Sequence, residues 1–182
     1  ELIDADGYAY QYAKIVELVK DKPLLEIRHK LKNTGKKAIK TSVYNHNFFV
    51  IDQELTGPNI ETNFPYDIQL DNSEDKKVVN FDSLGIVSDR TISFSRYFKK
   101  GENVYTSGIM GFRDLPEDYQ FSVINTKTGA GVKIKGDKAL EKIVYWANPR
   151  TYCPEPYIRF ELAPGESVAW KYDYRFFNVD EE

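Results

Sequence analysis

The chain has 182 residues, of which 41% are hydrophobic and 29% are charged, and this length is enough for one domain with a substantial core. Its net charge of −3 and isoelectric point of about 5.6 argue against nucleic acid or an anionic membrane as a partner, because both are bound through a basic face. The single cysteine, Cys153, excludes an internal disulfide and a zinc site built from cysteines.

The sequence contains no apolar run of 18 residues and no signal-peptide pattern. The chain as given is therefore predicted to be soluble, and its compartment, whether cytoplasmic, periplasmic or secreted, is left open. The composition does not change along the chain, so residues 1–182 are predicted to form a single domain. The sequence starts at Glu1 instead of methionine, which leaves open that it is the C-terminal portion of a longer domain.

The first predicted element, residues 8–20, combines two patterns. Tyrosines at every second position from Tyr8 to Tyr12 alternate as in a strand, whereas the apolar residues that follow are spaced as in a helix. We interpret the segment as a strand because its neighbours in the sequence have strand patterns. The clearest of these is residues 25–32, in which Leu25, Ile27, His29 and Leu31 alternate with charged residues. His29 therefore fits a core position.

A turn at Asn33-Thr34-Gly35 is followed by a second long predicted strand, residues 38–51. Six further strands are predicted: 91–98, 120–125, 132–135, 143–147, 157–162 and 167–177. Between the last two, Pro164 and Gly165 occupy the positions that a type II turn favours, so these strands are predicted to pair as a hairpin. With 13 Tyr and 11 Phe, the chain is predicted to be all-β.

The segment VYNHNFF, residues 43–49, contains one of only two histidines in the chain. Alternation places Tyr44, His46 and Phe48 on one face of the predicted strand. A histidine on such a face can exchange a proton near neutral pH, and the rings offer the flat apolar surface on which a pyranose stacks. The alternative is a histidine that is simply hydrogen-bonded within a sheet.

Glu155, in TYCPEPYIRF, is a second candidate because proline stands on both sides of it. The two prolines remove two ladder donors, so the segment is predicted to lie at a sheet edge or in a loop. Their fixed φ angles also hold the carboxylate in a narrow range of directions, which suits a general base. Stiff Pro-x-Pro segments without any function are the alternative. The chain lacks a phosphate-binding loop, a nucleophile elbow and a zinc helix, and no metal or cofactor is predicted.

Two segments resemble the galactose mutarotase-like proteins (aldose 1-epimerases). YNHNFFVID followed by TGPN is similar to that family's Asn-His segment, and CPEPYIRFELAPGESVAWKYDYRF is similar to its closing segment. The resemblance implies an all-β antiparallel β-supersandwich that binds a monosaccharide or glycan end on its concave face. It also implies that His46 acts as general acid on the ring oxygen and Glu155 as base on the anomeric hydroxyl.

The remaining candidates bind substrate under the same resemblance. Tyr44, Phe48 and Trp146 are expected to form the apolar wall of the site, with a core position as the alternative for Trp146. Asn45, in the Asn-His motif, and Asp118, in DYQFSV, are expected to bind the sugar. The family also uses an upstream arginine and a second histidine, in a segment that would lie before Glu1. Two hypotheses therefore stay open: an aldose 1-epimerase, and a non-catalytic carbohydrate-binding or accessory domain on the same scaffold.

Overall fold

A computed structural model describes residues 2–179 and contains fifteen β-strands. Their bounds are β1 Leu2–Ile3, β2 Ala9–Leu18, β3 Leu24–Asn33, β4 Ile39–Val43, β5 Ile60–Asn63, β6 Gln69–Leu70, β7 Val78–Val79, β8 Gly85–Ser88, β9 Thr91–Phe94, β10 Val104–Met110, β11 Gln120–Asn125, β12 Ala130–Gly136, β13 Lys142–Ala147, β14 Tyr152–Leu162 and β15 Ser167–Asn178. A short 3₁₀ helix spans Pro116–Asp118. No helix within the described range is long and apolar enough to cross a membrane. The all-β prediction is confirmed, including the strand in residues 8–20.

The strands form two antiparallel sheets. The nine-stranded sheet has the order β1-β2-β3-β15-β12-β11-β5-β9-β8, and the six-stranded sheet has the order β4-β14-β13-β10-β6, with β7 also paired to β10. The core lies between the sheets and is rich in aromatic side chains such as Phe94, Tyr145 and Tyr172. Tyr145 and Thr62 hydrogen-bond across it, with 3.0 Å between their hydroxyl oxygens. The two sheets therefore share one core, as expected for a sandwich.

The prediction of one continuous strand over residues 38–51 is wrong in part. Pairing with β14 ends at Val43, and the next bridge is Phe49 with Tyr152. Val43 pairs with Ile158, six residues before Phe49, and Ile158 lies six residues after Tyr152. The two pairs therefore have the same register. Pro154 and Pro156 fall inside the gap, and neither has an N–H to donate. Residues 44–48 thus keep an extended course along β14 without the ladder hydrogen bonds.

The predicted hairpin of the last two strands is also wrong. The turn itself is present: the Glu166 N–H donates to the Ala163 carbonyl at 3.1 Å, and Gly165 has φ +85°, as a type II turn requires. However, β14 pairs with β13 and β4, whereas β15 pairs with β3 and β12. The turn therefore carries the chain from one sheet to the other.

Candidate functional site

Strands β13 and β14 supply the floor of a cleft on the outer face of the six-stranded sheet. Alternation along β13 sends Tyr145 into the core and leaves Trp146 on the other face. The same period places Glu155 and Tyr157 of β14 on the cleft side. The prediction that the prolines place this segment at a sheet edge or in a loop is wrong in part. The segment lies within β14, an interior strand, where it pairs with β13 on one side and lacks ladder bonds only on the side of residues 44–48.

The extended segment 44–48 brings His46 to Glu155. The register that joins Val43 to Ile158 and Phe49 to Tyr152 sets residue 46 opposite residue 155. Side chains directly opposite each other on antiparallel strands are near neighbours. The His46 Nε2 atom lies 3.2 Å from Glu155 Oε1, with 39% of the histidine side chain exposed and only 7% of the glutamate side chain.

Aromatic rings form most of the cleft wall. Tyr44 stacks on Tyr157 with 4.2 Å between ring centroids, and Phe48 stacks on His46 at 4.1 Å. Trp146 meets both His46 and Phe48 edge-on at 6.2 Å. The cleft has a volume of about 510 Å³, which is within the usual range for small-molecule sites. Tyr44, His46, Phe48, Trp146 and Glu155, five of the seven predicted site residues, thus line one cleft.

Burial sets the electrostatics of the site. It raises the pKa of Glu155, because a carboxylate is poorly solvated there, and the nearby His46 offsets part of that rise. Burial also raises the pKa of the Cys153 thiol far above its ordinary value, and the neighbouring Glu155 adds to the effect. Cys153 is therefore a thiol, not a thiolate, at neutral pH.

His46, Cys153 and Glu155 are the one group within residues 2–179 whose donor atoms could surround a metal ion, since those atoms lie within 4.8 Å of one another. The arrangement does not favour a shared ion. The Cys153 sulfur lies 3.0 Å from Nδ1, whereas Glu155 faces Nε2, so these two groups contact different nitrogens of the ring. An imidazole gives a metal only one of its nitrogens, so the ring would have to move before all three groups could ligate.

The other two predicted residues lie outside the cleft. Asn45 points to the opposite side of its segment, where its Nδ2 donates to the Tyr174 hydroxyl at 3.0 Å, and it borders a separate depression with His29 and Trp170. Asp118 is buried at the end of the 3₁₀ helix. Its carboxylate accepts hydrogen bonds from the Arg113 guanidinium at 2.6 and 3.0 Å. The Asp118 carboxylate thus holds residues 113–118 together and does not reach the cleft.

Sequence reasoning missed four residues of the site: Tyr105, Val144, Tyr157 and Cys153. Cys153 and Tyr157 are two positions before and after Glu155, so the strand period could have identified both. Tyr105 enters the cleft because it pairs with Trp146. That pairing joins residues 41 positions apart, and no local pattern encodes it.

No protein-family model and no curated protein matches the sequence. Several solved structures match the fold over nearly the whole chain. A galactose mutarotase related enzyme from Lactobacillus acidophilus matches 94% of the chain with a TM-score of 0.65 at 12% identity. A galactose mutarotase-like protein from Lactobacillus casei matches 93% with a TM-score of 0.63 at 9% identity. The chain has the galactose mutarotase-like fold.

An aldose epimerase homologue from C. elegans shares the galactose mutarotase-like fold as well, over 98% of the chain, with a TM-score of 0.63 at 12% identity. The chain spans 63%, 64% and 68% of these three proteins, so it corresponds to about two thirds of a galactose mutarotase-like structure. At identities this low, the structural matches establish the fold alone. The chemistry of the cleft has to be argued from its own residues.

Proposed function

We propose that the cleft binds a monosaccharide or the end of a glycan and interconverts the α and β anomers of an aldose. The observation that supports this most directly is the pair formed by an exposed imidazole and a buried carboxylate, 3.2 Å apart, inside an aromatic cleft. Pairs of titratable groups in contrasting environments are the usual basis of acid-base catalysis.

The wall of the cleft suits a pyranose. The C–H faces of a sugar ring stack on aromatic surfaces such as Trp146 and Phe48, and the sugar hydroxyls need polar partners. Tyr44, Tyr105 and Tyr157 line the same cleft, and tyrosine hydroxyls can both donate and accept hydrogen bonds. Binding would orient the anomeric carbon toward the histidine and the glutamate.

The reaction needs two proton transfers. Glu155 removes the proton from the anomeric hydroxyl, the electrons of that O–H bond form the carbonyl, and the bond between C1 and the ring oxygen breaks toward the oxygen. His46 delivers a proton to that ring oxygen. Rotation about the C1–C2 bond then presents the other face of the aldehyde, and the two transfers run in reverse to close the opposite anomer. The raised pKa of Glu155 strengthens it as a base, provided it is ionised.

A non-catalytic carbohydrate-binding domain is the second candidate, and the lining of the cleft favours it in one respect. The eight side chains that line the cleft, all within the described part of the chain, include one histidine, one carboxylate and no arginine. The resemblance implied an arginine and a second histidine upstream. Without such groups, a sugar would be held mainly by stacking and tyrosine hydroxyls.

Polarimetry on freshly dissolved α-aldoses distinguishes the two candidates, using the longest natural form of the protein. We expect Glu155→Gln, which removes the base, and His46→Asn, which removes the acid, each to lower turnover by about 10²–10⁴-fold. Glu161→Gln is the matched control, because Glu161 lies on the same face of β14 but pairs with Lys40 outside the cleft.

Sugar binding, measured by calorimetry, is expected to survive both site substitutions better than turnover. If the wild type leaves mutarotation at the spontaneous rate but binds sugars, the enzyme is excluded and the binding domain stands. If it neither binds nor turns over any common aldose, both candidates fail.

A further inference from the structure

Cys153 contacts the ring nitrogen of His46 that does not face Glu155. Its sulfur lies 3.0 Å from His46 Nδ1, while Nε2 of the same ring lies 3.2 Å from Glu155 Oε1. The thiol and the carboxylate therefore contact different nitrogens of the ring, and they also lie close to each other. Cys153 itself is fully buried, so water cannot replace it as the partner of Nδ1.

The thiol is set up to donate in this contact. Burial raises its pKa, so the sulfur keeps its proton at neutral pH. That proton has two acceptors within reach, Nδ1 of His46 at 3.0 Å from the sulfur and the Glu155 carboxylate. In the first case the ring nitrogen is the acceptor. A ring nitrogen that accepts a hydrogen bond is unprotonated, so the proton of the neutral ring then sits on Nε2.

We propose that Cys153 is a positioning residue that fixes the tautomer of His46, so that the N–H of the neutral ring is on Nε2 and directed into the cleft. This inference rests on the proposed function, in which the imidazolium form of His46 gives its Nε2 proton to the sugar ring oxygen, so Nε2 must face the substrate. Nδ1 is turned away from the cleft, and a proton held there would be out of reach of the substrate. The contact also holds the plane of an imidazole that is otherwise 39% exposed.

Two other hydrogen-bond patterns fit the same heavy atoms, and in both the Nδ1 N–H donates to the sulfur. In one, the thiol donates to the ionised Glu155 carboxylate; in the other, the Glu155 carboxyl is protonated and donates to Nε2. In both, the tautomer of His46 is the opposite of the proposed one. Nitrogen NMR distinguishes the tautomers directly, because protonated and unprotonated imidazole nitrogens have well-separated chemical shifts.

The test is the ¹⁵N spectrum of the two histidine rings near neutral pH, with His46 assigned by its loss in His46→Asn. We expect wild type to show a protonated Nε2 on His46. Cys153→Val fills a similar volume without a donor and should give a mixture of tautomers, whereas Cys153→Ser keeps a donor and should restore the Nε2 form. Ile158→Val, which removes one methylene from the core side of the same strand, should leave the spectrum of His46 unchanged.

A protonated Nδ1 in wild type would overturn the proposal, and so would an unchanged tautomer in Cys153→Val. Polarimetry on the same variants measures the effect on activity. Turnover should fall by about 10-fold in Cys153→Val with little change in KM, and it should recover in Cys153→Ser. If the wild type has no mutarotase activity, the proposed function fails, but the spectra still decide whether the thiol sets the tautomer.

Discussion

The two histidines of the chain have contrasting surroundings. His46 stands at the open cleft, whereas His29 is only 6% exposed and stacks face to face on Trp170, with 4.8 Å between ring centroids. Its Nδ1 lies 2.6 Å from the Tyr12 hydroxyl. Burial, assisted by Lys14, lowers the pKa of His29 to about 4, because an imidazolium would be poorly solvated there. His29 is therefore neutral at pH 7.

The lowered pKa predicts a dependence of stability on pH. The unfolded chain takes up a proton at this histidine near pH 6.5 and the folded chain does so only near pH 4, so the contribution of His29 to stability is complete above pH 6.5 and is lost as the pH falls toward 4. Urea unfolding between pH 4.5 and 7 should show this decline in wild type. His29→Phe keeps a ring against Trp170 but cannot titrate, so its decline should be smaller.

His46→Asn serves as the control for that experiment, since it removes the other histidine and keeps His29. It should retain the wild-type decline between pH 6.5 and 4.5. An equal decline in wild type and His29→Phe would show that His29 does not titrate in this way.

The alternation of side chains between the two faces of an extended chain explains which site residues could be predicted from the sequence. Tyr44, His46 and Phe48 share one face because an extended chain alternates, and that holds even where residues 44–48 have no ladder bonds. The same rule places Asn45 on the opposite face, where it binds Tyr174. The expectation for Asp118 depends on a short local match, and nothing in the sequence indicates that Arg113 pairs with it. Such pairings depend on tertiary structure.

At the scale of elements, the failed hairpin has an identifiable cause in Asn33. The Gly165 N–H donates to the Asn33 carbonyl at 2.9 Å, and the Asn33 N–H donates to the Glu166 carbonyl at 2.9 Å. The turn is thereby bound to the end of β3, which leads β15 to pair with β3 in the other sheet. Turn chemistry predicted the local reversal correctly, but the partner of the emerging strand is a distant contact that a local pattern does not contain.

The Asn33 side chain is predicted to be a major contributor to stability. It is fully buried, and its Nδ2 donates to the carbonyls of Lys37 and Leu162 at 2.8 and 2.9 Å. Asn33→Ala would leave these carbonyls without their donor, so we expect the free energy of unfolding to fall by about 2–3 kcal/mol. Urea denaturation monitored by tryptophan fluorescence measures this change.

Asn148→Ala is the matched control for Asn33. The Asn148 side chain accepts hydrogen bonds from the backbone N–H groups of Arg150 and Thr151 at 2.8 and 3.0 Å, but it lies in a partly exposed turn where water can replace it. Its removal should cost about 1 kcal/mol or less. Equal losses for the two variants would show that burial of Asn33 is not what makes it important.

At the scale of the whole molecule, the class of fold could be predicted because alternation and turn residues recur along the chain. The order of the strands within the sheets could not be predicted, because neighbours such as β3 and β15 are separated by most of the sequence.

One edge of the nine-stranded sheet is only partly covered. Strand β2 is paired with β3 along its length, but β1 covers its other edge only at Ala9 and Tyr10.

The uncovered part of β2 has the properties of an aggregation-prone edge. Its residues from Gln11 to Leu18 are exposed, and they include Ile15 at 54% and Val16 at 58% exposure. An edge strand with unpaired backbone groups and apolar side chains is a template for pairing with another chain. The chain as given should therefore self-associate as its concentration rises.

Val16→Lys should suppress this association without changing the fold, because a lysine on an edge strand opposes the approach of a second copy. Burying one valine is worth about 1.5–3 kcal/mol, so its loss should raise the concentration at which association begins by about 10-fold or more. Sedimentation velocity over a concentration series measures this, with circular dichroism to verify the strand content. Leu115→Lys adds the same charge at a residue that is 42% exposed in the loop before the 3₁₀ helix, so it should associate like wild type. If both variants suppress association equally, net charge and not the edge of β2 controls it; if neither does, β2 is not the contact.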